Sequence, residues 1–172
     1  MTGLERNAAV VRMASYAPLF GNVDAWQWKP NFIWVDSRRV YATPNYYVQQ
    51  LFSCNRGDEV LPVAIEGLET SAEGRQNLYA SATHDDQTGE LILKVVNPGG
   101  QAQVADLKLN GWTQVQAAGR SIVLAGSRLD AVNSLDQPTA VAPVEGTLAD
   151  AAASFAHTFP AFSMTVLRIK GE

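Results

Sequence analysis

The chain has 172 residues, of which 47% are apolar and 17% charged, a balance that suits a globular domain with a real core and argues against a disordered or membrane-bound chain. A net charge of −4, with no basic pair beyond Arg38 and Arg39, leaves no stripe of cations to follow phosphates and speaks against a nucleic-acid partner. The single cysteine, Cys54, excludes an internal disulfide framework, and His84 and His157 are too distant from it for a zinc site of the usual spacing.

Residues 3–15, "GLERNAAVVRMAS", place Leu4, Ala8, Val11 and Ala14 at helical spacing and predict a helix, with Thr2 as its cap. Almost nothing leads into that helix, so the sequence reads as beginning part-way along one. No signal-peptide pattern and no apolar run of membrane length is present, which leaves the location open. Residues 14–36 then hold three of the four tryptophans, Trp26, Trp28 and Trp34, beside Tyr16, Phe20 and Phe32 in a stretch otherwise composed like a loop. So much aromatic surface calls for a partner: a sugar ring, the chain's own core, or a piece of protein outside this chain. Within it, "NFIWVD" reads as a short strand buried on both faces, as in parallel sheets flanked by helices.

Thr43 and Pro44 are a cap and a first helical residue, and "PNYYVQQLFSC" predicts a helix with Tyr47, Leu51 and Cys54 on one face, stopped by Arg56 and Gly57. Cys54 is expected to be a buried thiol rather than a nucleophile. Helix, strand and helix make an α/β fragment, residues 1–59. From about Val60 the period changes to two. "NLYASATHD", "GELILKVVN", "AQVADLKLN" and "SMTVLRIK" read as strands, with "DDQTG", "NPGG" and Asn110-Gly111 as hairpin turns. Leu91, Leu93 and Val95 share one face, Ile92, Lys94 and Val96 the other. The alternation predicts an antiparallel β-sandwich over residues 60–172. Residues 127–162 read as loops with one or two short strands, or a helical turn at "ADAAASFA".

The chemistry is sparse. There is no G-x-S-x-G, phosphate loop, H-E-x-x-H or dinucleotide turn, and no metal or cofactor is expected. Glycosidic cleavage needs two carboxyl groups, one kept protonated. Asp85, Asp86, Asp106, Glu69 and Glu73 read as turn or exposed-face acids. Asp36 ends the apolar strand, where the active site of a (β/α)-barrel would lie, yet it has no second acid beside it and equally reads as the cap of the next turn. Trp34 reads as core, Trp26 and Trp28 as a loop folded over a neighbouring element or as sugar platforms, Tyr46 and Tyr47 as a helix face, and Trp112 as packing on its hairpin.

"MTGLERN", "VVRMASYAPLFGN", the W-x-P at Trp28 to Pro30, "YATPNYYVQQLFS", "LYASATHDDQTGELILKVVN" and "FSMTVLRIK" together resemble the C-terminal part of α-L-arabinofuranosidases of glycoside hydrolase family 51. The resemblance spans nearly the whole chain. It implies a (β/α)₈ catalytic barrel followed by a jelly-roll-like sandwich, with retaining hydrolysis by two glutamates upstream of Met1. On it, residues 1–59 are the end of the barrel and "NFIWVD" its eighth strand. Asp36, Ser37, Tyr41 and Thr43 would then line the arabinose pocket, while Trp26, Trp28, Trp34, Tyr46 and Tyr47 would pack between barrel and sandwich. The partners implied are the rest of the barrel and an arabinose-containing oligo- or polysaccharide, with a homo-oligomer as a further option. A carbohydrate-binding module and a protein-interaction sandwich stand as alternatives, since the fold by itself carries no function.

Overall fold

The computed structural model describes residues 1–67, 74 and 76–171. Glu69 and Glu73 lie outside them. Its centre is β6 (Glu90–Asn97), and the alternation read from its sequence is what the fold uses. Leu91, Leu93 and Val95 enter one apolar core, and Ile92 and Val96 a second on the opposite face. Its neighbour β11 (Ser163–Lys170) does the same, sending Leu167 and Ile169 to the first core and Met164 and Val166 to the second. Ile92, Val166, Leu167 and Ile169 have no exposed surface. At about 1.5–3 kcal/mol for each such side chain, these two strands are the thermodynamic centre of the molecule.

They sit within a six-stranded antiparallel sheet that adds β4 (Glu59–Leu61), β5 (Tyr79–Asp85), β8 (Gly119–Ala125) and β9 (Val144–Leu148), in the order β4-β5-β6-β11-β8-β9. A second, two-stranded sheet of β7 (Gln103–Lys108) and β10 (Ser154–Phe159) covers the first core with Ala105, Leu107, Phe155 and Phe159. The result is the predicted mainly-β, antiparallel sandwich. The second core is closed by helix α2 (Pro44–Cys54), through Leu51 and Phe52.

"DDQTG" closes the β5–β6 hairpin, Gly89 N–H donating to the Asp85 carbonyl at 2.9 Å. "NPGG" does not close a hairpin, because β6 and β7 lie in different sheets. It is the crossover between them, pinned by the buried Asn97, whose amide donates to the carbonyls of Gln101, Phe159 and Pro160 at 2.8–3.1 Å. Asn110-Gly111 likewise makes a turn, Trp112 N–H to Leu109 carbonyl at 3.2 Å with Gly111 at φ +89°, but β7 pairs with β10 rather than with the strand that follows. Trp112 packs against the first core rather than on a hairpin. Residues 127–162 hold two strands, and "ADAAASFA" contributes to β10, not to a helical turn. The strand β8, unpredicted, lies beside β11.

The leading segment departs further. Helix α1 covers only Thr2–Arg6, and Thr2 is a buried residue inside it rather than its cap, which is Met1. Asn7 ends it, its side-chain amide donating to the Gly3 carbonyl at 2.7 Å. The apolar stripe beyond has too little to bury against: Val10 and Met13 are 78% and 87% exposed. Periodicity without burial leaves a helix only its weak intrinsic propensity. Strand β2 (Ile33–Val35) is buried on the Trp34 side alone, with Ile33 and Val35 half-buried, because its sheet has three short strands. It runs parallel to β1 (Phe20–Asn22) and antiparallel to β3 (Val40–Ala42). Cys54 is exposed, not buried. Leu51 and Phe52 take the face of α2 that closes the second core, and Cys54 lies on the open groove between α1 and α2. Gly57 ends the connection to β4 for reasons of space: a Cβ there would stand 2.3 Å from the His84 carbonyl oxygen.

Candidate functional site

The residues expected to face substrate meet on the β2–β3 hairpin and its exit. Asp36 follows β2, and its carboxylate organises the turn that leads into β3. One oxygen accepts from the Arg38 and Arg39 backbone N–H groups at 2.7 and 2.6 Å, the other from the Arg39 side chain at 2.9 Å. Those two backbone donors hold the Asp36 carboxyl below the ordinary range, the direction expected when hydrogen bonds favour the charged form. Ser37 is exposed at the tip. Tyr41 lies opposite Trp34 in the β2–β3 register and is half-buried, and burial raises its phenol pKa. Thr43 caps α2 as expected: its hydroxyl donates to the Phe32 carbonyl at 2.9 Å and accepts from the Tyr46 N–H at 3.4 Å. Asp36, Ser37 and Tyr41 thus share the β2–β3 hairpin, and Thr43 is occupied with its helix.

The aromatic span divides. Trp34 and Phe32 are buried. Phe32 stacks on Tyr16 at 4.8 Å between centroids and leans on Tyr46, which meets Tyr47 edge to face at 5.5 Å. Trp26 reaches Trp34 by its edge at 6.1 Å and takes Lys29 over its ring, yet stays 51% exposed, and Trp28 is 65% exposed. A shallow groove of about 620 Å³ runs between α1 and α2, lined by Leu4, Val11, Met13, Phe32, Tyr46 and Phe52 among others.

Two polar clusters correspond to no sequence motif. Lys94, fully buried on β6, is paired with Glu5 of α1 at 2.6 Å, and the Ser81 hydroxyl donates to the other Glu5 oxygen at 2.5 Å. Burial lowers the Lys94 pKa against the opposing pull of Glu5. The only signal in the sequence was a cation inside an apolar strand face. At the end of the same sheet, Arg168 holds Glu90 through Nε at 2.8 Å, Asp85 at 3.5 Å and the Asn55 side chain at 3.3 Å. A glycosidase acid is a carboxyl held protonated above its usual range. Asp36 and Asp85 are both shifted the other way, Asp85 chiefly by the Thr88 backbone N–H. Among the described residues no group of three His, Cys, Asp or Glu side chains could hold a metal ion, and no helix is long and apolar enough to cross a membrane.

A sequence model of the α-L-arabinofuranosidase C-terminal domain matches residues 1–163. The chain belongs to that family. A probable α-L-arabinofuranosidase A of Aspergillus oryzae is 38% identical over 169 residues, covering 97% of this chain and 25% of its own length. An extracellular exo-α-L-arabinofuranosidase of Streptomyces chartreusis is 44% identical over 92 residues, half of this chain and 11% of its own. The arabinose-bound structure of a GH51 α-L-arabinofuranosidase superposes with a TM-score of 0.88 at 32% identity, over all of this chain and 26% of that one. The GH51 arabinofuranosidase of Xanthomonas axonopodis pv. citri, at 22% identity and a TM-score of 0.79 over 98% of this chain and 33% of that one, shares the fold. This arabinofuranosidase C-terminal domain therefore spans about a quarter of the length of the Aspergillus relative.

Proposed function

We propose that this chain is the C-terminal portion of a retaining α-L-arabinofuranosidase that removes terminal arabinofuranosyl groups from arabinan, arabinoxylan or arabino-oligosaccharides, and that it holds neither of the two catalytic glutamates. The observation that carries this reading is the 32% identity, over the entire chain, to about a quarter of an arabinose-bound GH51 enzyme. Residues 1–59 would close the end of the catalytic barrel, and residues 60–172 would form the supporting sandwich. The parallel β1–β2 pair and the exposed Leu4, Met13, Phe20 and Trp28 suit a segment that packs against more protein. The β2–β3 turn, with Asp36, Ser37 and Tyr41, would border the sugar pocket, and Thr43 would fix the helix behind it. In this role Asp36 shapes the turn rather than moving a proton. Trp26, Trp28, Trp34, Tyr46 and Tyr47 would carry the packing between the parts.

The test is enzymatic. The purified chain is expected to release no 4-nitrophenol from 4-nitrophenyl α-L-arabinofuranoside, while the complete protein turns it over with retained configuration. Turnover by the chain alone that Asp36→Asn abolishes would overturn the assignment. The exposed Trp26 and Trp28 favour one second reading, a carbohydrate-binding surface, for which titration calorimetry with arabino-oligosaccharides would give saturable heat.

A further inference from the structure

We propose that the long β8–β9 connection, residues 126–143, is a brace that sets the β2–β3 turn, with Asn133 as its positioning residue. Asn133 is 3% exposed and uses both ends of its amide. Nδ2 donates to the Val141 carbonyl at 2.9 Å and Oδ1 accepts the Val141 N–H at 2.7 Å, while Nδ2 also donates to the Ala42 carbonyl at 2.9 Å. Val141 is buried in the second core with Ile122, Leu124 and Met164. Ala42 ends β3 and sits opposite Ile33 of β2. One side chain therefore joins the core of the sandwich to the root of the hairpin.

The same connection also reaches the tip. Asp136 pairs with Arg39 at 3.0 Å while Arg39 holds Asp36 at 2.9 Å. The segment between is itself ordered, Ser134 and Gln137 exchanging a backbone hydrogen bond at 3.2 Å and a side-chain one at 3.1 Å. The Asp136–Arg39 pair is exposed and contributes little alone; the buried amide is the stronger tie, since removing it strands a carbonyl. Long connections in compact domains usually serve a function. Here that function is to hold the turn bearing Asp36, Ser37 and Tyr41 in one geometry, a contribution to sugar binding rather than to bond cleavage. The sugar-binding role rests on the proposed function; the brace does not.

Asn133→Asp keeps the acceptor for Val141 and loses the donors. In the chain, amide hydrogen exchange at Arg38 and Arg39 should accelerate about tenfold, with the amides of β6 and β11 unchanged. Should that variant unfold, the exposed Asp136→Ala carries the test, with about twofold acceleration at the same two amides. Unchanged exchange there overturns the brace. In the complete protein, Asn133→Asp should raise KM for the nitrophenyl arabinofuranoside about fivefold with kcat within about twofold, the pattern of binding lost equally from the ground and transition states. An unchanged KM beside faster exchange overturns the positioning role. A complete wild-type protein without activity refutes the enzyme assignment and with it the sugar role, while the exchange result still decides the brace.

Discussion

In the sandwich, Ile92, Val166, Leu167 and Ile169 have no exposed surface, whereas in the leading segment Val10, Met13 and Trp28 are 78%, 87% and 65% exposed. The two regions are held by different forces. The sandwich carries apolar material on both faces of one sheet and closes both within this chain. The leading segment contributes α2 to the second core but is otherwise placed by polar ties: Glu5 to Lys94 and Ser81, Arg6 to the Ala80 carbonyl at 2.6 Å, and Ala42 to Asn133. Polar ties specify where a segment sits more than they stabilise it. On the proposed function, the exposed Trp26 and Trp28 of this segment would meet the rest of the catalytic barrel.

The strongest way to sharpen that contrast is Leu167→Ala, which opens a cavity at the centre of the first core. It should cost about 2–5 kcal/mol in denaturant unfolding. A loss under about 1 kcal/mol would mean that the sandwich is not the stable unit.

Glu5→Ala comes next, with an expected loss of about 1–3 kcal/mol, because it leaves the buried Lys94 ammonium without its counter-ion. Burial lowers the Lys94 pKa below its ordinary 10.5. The unfolded chain thus binds more protons between the folded value and 10.5, and stability rises with pH across that window. Without Glu5 the folded value falls further, so the variant should recover stability at lower pH than the wild type does. A flat difference between the two proteins from neutral to alkaline pH would show that the pair does not govern the anchor.

Trp28→Ala should have the smallest effect, within about 0.5 kcal/mol on unfolding, despite removing the largest side chain of the three. A loss near that of Leu167→Ala would erase the distinction between the regions.

How much of this was legible follows the range of the physics involved. The faces of β6 and β11, the Thr43–Pro44 start of α2 and the β5–β6 turn depend on neighbours in sequence, and each appears where the residues place it. The stripe in residues 3–15 was equally periodic but formed only the short α1, since periodicity states what could be buried and not whether anything covers it. "NPGG" and Asn110-Gly111 were legible as turns, but not where the chain goes afterwards. The aromatic span was divided in part: Trp34, inside its apolar strand, reads as core and is buried, whereas the exposure of Trp26 and Trp28 depends on what surrounds their loop.

Of the site, residue types and their place after an apolar strand were readable, and the family resemblance added the direction in which to look. That Asp36 is committed to its own turn follows from two N–H groups within three residues, a cap that the sequence offered as one reading. The partners of Lys94 and Ala42, 89 and 91 positions away, left no trace. By itself the sequence determined the alternation of faces, the local turns and the lack of nucleophile motifs, because these follow from side-chain chemistry over a few residues. Only the tertiary structure decided which strands share a sheet, which aromatics remain outside, and which loop grips the hairpin. Those outcomes depend on packing between segments far apart in the chain, where many pairings satisfy the same local pattern and only one buries both cores.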